Sequence, residues 1–323
     1  MRIVQVAPDY ITVPPAKYGG IERVVFDLTE ELVRLGHDVF LYALPGSRTS
    51  ATLIPYRHSQ DAWQLARFVQ DTLPWATDVV HDHTHGSVIG QTLSAPPCVC
   101  SIHVPWCSAI KHPVFLSNYM LKKLGSYRGF MVHNGIQLDE YEFTQDKSDY
   151  LLYMGRLIKS KGILQAIEVA ERTGQRLLIA GPSADIVEPE SYSFYIHEVQ
   201  PRIERNPNIE YVGEVGGTDR IRLLKHAKCV LFPSDEEAFG LVMVEAMACG
   251  SPVMAFRKGT VPEVLGAFPE LICDSLDDMV HKVNRACFPP PFLLRKQVSD
   301  HFSSALMAER YLGVYREVLQ YPF

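Results

Sequence analysis

The chain has 323 residues, enough for two hydrophobic cores, and its 47% hydrophobic and 21% charged residues are ordinary for a globular protein. A net charge of −6 gives no electrostatic reason to expect nucleic-acid binding. It also argues against strong attraction to anionic lipid, so that peripheral membrane contact would need a local basic patch.

Seven cysteines are scattered without metal-finger spacing and read as reduced, mostly buried thiols of a cytoplasmic protein. The N-terminus runs directly into an apolar strand pattern, without a charged-then-apolar signal layout. The longest apolar stretch, 241–256, is interrupted by Glu245, Gly250 and Pro252, which makes it too short and too polar to span a bilayer.

Residues 3–7 read as a buried strand, 8–20 as a Pro/Gly-rich loop, and 21–35 as an amphipathic helix closed by Gly36. A second strand at 38–43 completes a βαβ unit, which implies a parallel sheet. A helix at 63–73 and strands at 78–81 and 98–103 follow. The polar stretch 145–149 is the expected linker. After it the pattern restarts, with strands at 151–154, 176–180, 209–212, 229–232 and 253–255 and helices at 163–172 and 241–248. An amphipathic helix at 303–319 closes the chain.

The expected architecture is therefore α/β: two doubly wound Rossmann-like domains, 1–145 and 146–302, with a C-terminal helix in 303–323 that could pack back on the first domain. Open sheets of this kind bind ligands at the carboxyl ends of their strands, so the chemistry is sought in the loops there.

Three loops carry unusual residues. Tyr18-Gly19-Gly20 precedes a helix, where paired glycines let backbone N–H groups approach an anion; read alone it is equally an ordinary loop. It is not G-x-G-x-x-G, and the absence of that fingerprint removes the main support for a nicotinamide enzyme. Gly155-Arg156 and Lys161-Gly162 place two cations beside a helix start, suited to a leaving diphosphate or, more simply, to a solvated basic loop. The third, Glu237-Ala238-Phe239-Gly240-Leu241 followed by Glu245, opens an apolar helix whose Glu245 requires a partner if buried.

This last cluster resembles the E-x7-E element of retaining GT-B glycosyltransferases of family 4, which includes bacterial cell-envelope and antibiotic-tailoring enzymes. The resemblance runs through nearly the whole chain, in YGGIERVV, VVHDHTH and SIHVP, then in YMGRLIKSKG, EAFGLVMVEAMACGSPV and VPEV. It implies two facing Rossmann-like domains with a cleft between them, and a hexosyltransferase that moves a sugar from a nucleotide-diphosphate sugar. A UDP-sugar is favoured and GDP-mannose is next, with a carbohydrate, lipid-linked or small-molecule acceptor. It further implies that His103 contacts the transferred sugar and that Arg156 and Lys161 bind the diphosphate. Glu237 would bind the donor sugar, with the backbone of Phe239, Gly240 and Leu241 supporting sugar and phosphate. Glu245 would bind the ribose, and the base would lie near Gly213, Glu214 and Val215. Gly19, Gly20 and Gly155 would border the donor phosphates. Tyr18, His81, His83 and Trp106 are acceptor-side candidates.

The chain departs from the family pattern at His133-Asn134-Gly135-Ile136, where a proline is usual first, and at Lys258-Gly259-Thr260-Val261, which lacks a second glycine. No cofactor or metal is expected. The two cations serve the diphosphate, and Asp277-Asp278 and Asp235-Glu236 lack the D-x-D form. His81, His83 and His85 alternate and would share one face of a continued strand, a weak zinc signature. A glycosidase is disfavoured, because eight residues of helix set Glu237 and Glu245 about 12 Å apart in rise, poorly placed for its carboxyl pair. A sugar-nucleotide epimerase of the same architecture and a non-catalytic nucleotide-sugar-binding partner remain as rivals.

Overall fold

A computed structural model of the chain describes residues 1–56, 61–104, 109–183 and 190–321. It divides into two compact units, Met1–Gln137 with Phe302–Phe323, and Leu138–His301.

The first unit is built on a parallel sheet of strands β1 (Arg2–Val6), β2 (Asp38–Ala43), β3 (Thr52–Pro55), β4 (Val79–Asp82), β5 (Cys98–Ile102), β6 (His112–Phe115) and β7 (Phe130–Met131). Its spatial order is β3-β2-β1-β4-β5-β6-β7, so the direction of winding reverses between β1 and β4. β1, β4 and β5 are buried almost throughout, as strands covered on both faces must be. The helix Gly20–Arg34 turns Val24, Val25, Leu28 and Leu32 inward and ends before Gly36, whose φ of +82° suits glycine.

The C-terminal helix, Ser304–Gln320, belongs to this unit. Its entry is fixed by backbone pairing: Ile136 N–H donates to the Phe302 carbonyl at 2.9 Å, and Ser304 N–H donates to the Ile136 carbonyl at 2.8 Å. The approach is so close that a Cβ on Gly135 would lie 2.2 Å from the Ser303 carbonyl oxygen, so the glycine of His133-Asn134-Gly135-Ile136 is sterically required. Ser303 caps the helix by accepting from Leu306 N–H.

The second unit repeats the plan with β8 (Leu151–Met154), β9 (Leu177–Ala180), β10 (Ile209–Gly213), β11 (Cys229–Phe232), β12 (Val253–Phe256) and β13 (Ile272–Cys273). The order is β10-β9-β8-β11-β12-β13, and winding reverses between β8 and β11. The loops that follow β8 and β11 are therefore neighbours at the carboxyl edge. Two glycines close that edge. A Cβ on Gly162 would lie 2.2 Å from the Pro233 carbonyl oxygen, and one on Gly181 would lie 1.9 Å from that of Gly155.

Residues 138–145, grouped with the first domain in the sequence reading, pack with the second unit. The reason is a buried polar cluster. Glu245, 1% exposed in the helix Leu241–Ala248, accepts a 2.9 Å hydrogen bond from the Tyr141 hydroxyl and an ion pair from Arg220. Arg220 is carried by the helix Gly217–His226 and is itself mostly buried. Burial opposes its charge, but the neighbouring Glu245 and Tyr141 outweigh this and raise its pKa. Arg295 ties the same region down by donating to the carbonyls of Tyr141 at 2.6 Å and Ala248 at 2.7 Å.

Removing one partner of a buried pair leaves the other charge uncompensated. Glu245→Ala is therefore expected to cost the second unit about 3–5 kcal/mol in urea unfolding, with Glu245→Gln milder because it keeps hydrogen-bonding atoms. A Glu245→Ala protein as stable as wild type would mean that the Arg220 pair does not form in solution.

Candidate active site

In the second unit, the β8 and β11 loops hold the expected donor residues. Tyr153 Oη donates to the Arg156 carbonyl at 2.7 Å, and Leu157 N–H donates to the Pro182 carbonyl at 3.0 Å, which fixes the path of the Gly155-Arg156 turn. Lys161 ends a short 3-10 turn, Lys159–Lys161, and Gly162 follows with φ +72° before the helix Ile163–Thr173. Asp235 N–H donates to the Ser160 carbonyl at 2.9 Å, stitching the β8 loop to the β11 loop.

That stitch brings Lys161 Nζ to 2.6 Å from Glu237 Oε1. Ser234 Oγ donates to the same oxygen at 2.9 Å, so both bonds fall on Oε1. Among the described residues Oε2 makes no further hydrogen bond. Phe239 is buried, and Gly240 (φ +84°) precedes the helix Leu241–Ala248, whose first N–H groups lie at the strand's carboxyl edge. A Cβ on Gly240 would lie 2.7 Å from the Met243 methyl carbon and 3.0 Å from Phe232, so this turn also excludes a side chain. Gly259 approaches the Glu237 backbone, its notional Cβ 3.3 Å from Glu237 N.

Glu245 lies one turn into that helix with a partner on each carboxylate oxygen. A buried Glu245 requires partners, and it finds them in Arg220 and Tyr141, which no sequence motif marks. Gly213, with φ +79°, closes β10, and its carbonyl accepts from Gly181 N–H at 3.0 Å. Glu214 and Val215 follow in the same turn.

In the first unit, the loops after β1, β4 and β5 hold the remaining residues. Tyr18 is 41% exposed, and Gly19, with φ +150°, leaves no room for a Cβ beside Pro15. Gly20 opens the first helix. His103 follows β5 directly and is half-buried, with Nε2 3.0 Å from His83 Nδ1. Burial lowers the His103 pKa to about 3.

His81 and His83, expected on the acceptor side, are fully buried with both ring nitrogens in hydrogen bonds. Neither ring is exposed to a ligand in solution. His85 has left the strand and packs edge-on against Tyr10 at 5.4 Å. Trp106 lies outside the described residues.

Among the described residues, the one group of three potential metal ligands is Asp82, Cys98 and Cys100, all buried and none part of the histidine series. Asp82 already accepts four hydrogen bonds, from Thr84 N–H (2.8 Å) and Oγ1 (2.7 Å), Ile89 N–H (3.1 Å) and Gly90 N–H (3.2 Å). It is a clasp for the loop after β4.

Glu22 stands in the first helical turn after Gly19-Gly20 and is 4% exposed. Burial pushes its carboxyl up to about 7. Between the ordinary value of 4.5 and about 7 the native protein keeps a proton that the unfolded chain has released. Stability from this group therefore falls as pH rises through that window. Glu22→Gln is expected to gain on wild type by up to roughly 3 kcal/mol between pH 4.5 and pH 8, read as diverging Tm–pH curves. Parallel curves would contradict the assignment.

Comparison with known proteins agrees across the whole chain. A model described as Glycosyltransferase Family 4 matches residues 18–139, and one described as Glycosyl transferases group 1 matches residues 138–287. An uncharacterised glycosyltransferase of Methanocaldococcus jannaschii is 33% identical, over 82% of this chain and 83% of its own. The glycogen synthase of Mycobacterium tuberculosis is 24% identical, over 82% of this chain and 80% of its own. Among solved structures, a glycosyltransferase involved in avilamycin A biosynthesis superposes with a TM-score of 0.83 at 27% identity, over 99% of this chain and 98% of that one. Sucrose-phosphate synthase from Thermosynechococcus elongatus, at 18% identity over 99% of both chains, shares the fold with a TM-score of 0.79. The protein is a glycosyltransferase of GT-B fold and belongs to the group 1 glycosyl transferases of family 4.

Proposed function

We propose that this enzyme transfers a hexose with retention of anomeric configuration from a nucleoside-diphosphate sugar, with uridine the favoured base and guanosine the next. The observation that carries the reading is the meeting of Lys161 and Glu237 at 2.6 Å on the carboxyl edge of the second sheet, at its reversal of winding. A cation and a carboxylate held side by side suit a ligand with an anionic diphosphate joined to a hydroxyl-rich ring.

The diphosphate exchanges into the Lys161 contact, and Arg156 supplies the second charge. Together with the N-terminus of helix Leu241–Ala248 they stabilise the phosphate as the glycosidic C–O bond breaks. Glu237, through Oε2, accepts from a sugar hydroxyl. Glu245 meets the ribose on giving up one of its two contacts, and Gly213-Glu214-Val215 meets the base. His103 contacts the transferred sugar. The departing phosphate takes the acceptor's proton, so no side-chain base is needed and no metal is required. The acceptor is a carbohydrate, a lipid-linked sugar or a small molecule, and the nucleotide-sugar donor places the reaction in the cytoplasm.

The test is release of nucleoside diphosphate from UDP- and GDP-sugars with and without a panel of acceptors, in magnesium and in EDTA. Lys161→Ala and Arg156→Ala, each with a wild-type circular dichroism spectrum, are expected to lower kcat by roughly a hundredfold or more, and EDTA to leave turnover intact. Near-normal turnover of either variant would remove the diphosphate assignment. Complete, metal-reversible loss in EDTA would remove the metal-free mechanism. Conversion of the donor without acceptor would favour an epimerase, and binding without turnover a non-catalytic partner.

A further inference from the structure

The odd-numbered residues of β1, β4 and β5 put Gln5, His81 and Ser101 on one face of the first sheet, with His83 and His103 extending the same line past the strand ends. Register pairs Gln5 with His81, and the imidazoles of His81 and His83 lie 3.9 Å apart. The C-terminal helix covers this face, and Tyr311 and Tyr315, four residues apart and therefore on one side of it, bring two hydroxyls to the histidines. Gln5, His81, His83, Ser101, Tyr311 and Tyr315 are all buried. Seven polar side chains, His103 included, are joined in one series of hydrogen bonds.

The bonds have a sense. Gln5 Nε2 donates to Tyr315 Oη at 3.1 Å, so Gln5 Oε1 must accept, and it does so from His83 Nε2–H at 2.7 Å. A neutral imidazole carries one proton, and burial holds His83 neutral by lowering its pKa well below the ordinary range. His83 Nδ1 is therefore a lone pair, and His103 Nε2, 3.0 Å away, must donate to it. In the other direction the Tyr315 hydroxyl donates to His81 Nδ1 at 2.6 Å. His81 Nε2–H donates to Ser101 Oγ at 2.8 Å, and the Tyr311 hydroxyl lies 2.6 Å from the same oxygen.

We propose that the buried series Tyr315–Gln5–His83 positions His103 as its Nε2–H tautomer, so that Nδ1 presents a hydrogen-bond acceptor to a hydroxyl of the transferred sugar. The C-terminal helix thereby sets the chemistry of a residue more than 200 positions away in sequence. Gln5, His83 and Tyr315 are positioning residues, and they touch no substrate. The second half of the proposal rests on the reading of His103 as a sugar contact; the first half does not.

The experiment separates the two. Nitrogen-15 correlation spectra of the full chain with labelled histidine, assigned through His103→Gln and His83→Gln, report which ring nitrogen carries the proton. Wild type is expected to show His103 with a protonated Nε2 and a bare Nδ1 at neutral pH. In Gln5→Glu the carboxylate stabilises the His83 imidazolium, whose Nδ1–H then donates to His103 Nε2 and forces the proton of His103 to Nδ1. Turnover of Gln5→Glu should fall roughly tenfold, the size of one lost hydrogen bond, with affinity for free UDP unchanged. Tyr315→Phe frees the Gln5 amide to turn over and should give both His103 tautomers. A wild-type His103 with its proton on Nδ1, or one indifferent to Gln5→Glu and Tyr315→Phe, would overturn the positioning series. A tautomer that switches while turnover stays at the wild-type rate would overturn the sugar contact alone.

Discussion

A polar group withdrawn from water must find its partners inside the protein, and most of the distinctive residues of this chain are withdrawn in that way. The strand β4 shows the consequence on two faces at once. His81 on one face joins Ser101 and the tyrosines of the C-terminal helix. Asp82 on the other gathers the backbone N–H groups of Thr84, Ile89 and Gly90 and thereby shapes the loop that follows. The requirement of Asp82 is met by the loop that follows it and that of His81 by a helix more than 200 residues on, which fixes the first unit more specifically than apolar packing of β1, β4 and β5 would alone.

The second unit obeys the same rule with charges. Glu245 is held by Arg220 and Tyr141, and that demand draws residues 138–145 into the second unit. The helix carrying Glu245 starts at the loop carrying Glu237, so the buried pair also anchors that loop. The contact of Gly162 with the Pro233 carbonyl and the bond from Asp235 to Ser160 hold the two loops in register. Lys161 and Glu237 meet because the backbone leaves their loops no other separation.

Strands with mainly apolar runs, such as residues 3–6 and 151–154, were legible in the sequence, as were helices with a clear apolar stripe such as Gly20–Arg34. The strands Thr52–Pro55 and His112–Phe115 were not, because each is four residues long and contains proline. The helix Gly217–His226 escaped because Leu224 is its one buried residue. With it went Arg220, which no local pattern marks as the partner of a glutamate 25 positions on. The ordered motifs located Arg156, Lys161, Glu237 and Glu245 because spacing along a loop or helix survives in sequence. The burial of His81 and His83 did not show, since it depends on a helix that arrives from the far end of the chain.

If the carboxyl edge of the second sheet binds a nucleoside diphosphate through Lys161, loss of that side chain must weaken nucleotide binding. Calorimetric titration of UDP into wild type and Lys161→Ala tests it without any knowledge of the acceptor. Saturable binding to wild type is expected, with a dissociation constant raised at least roughly tenfold in the variant, the loss expected for one charge-assisted hydrogen bond to phosphate. Equal affinity in the two proteins would contradict it.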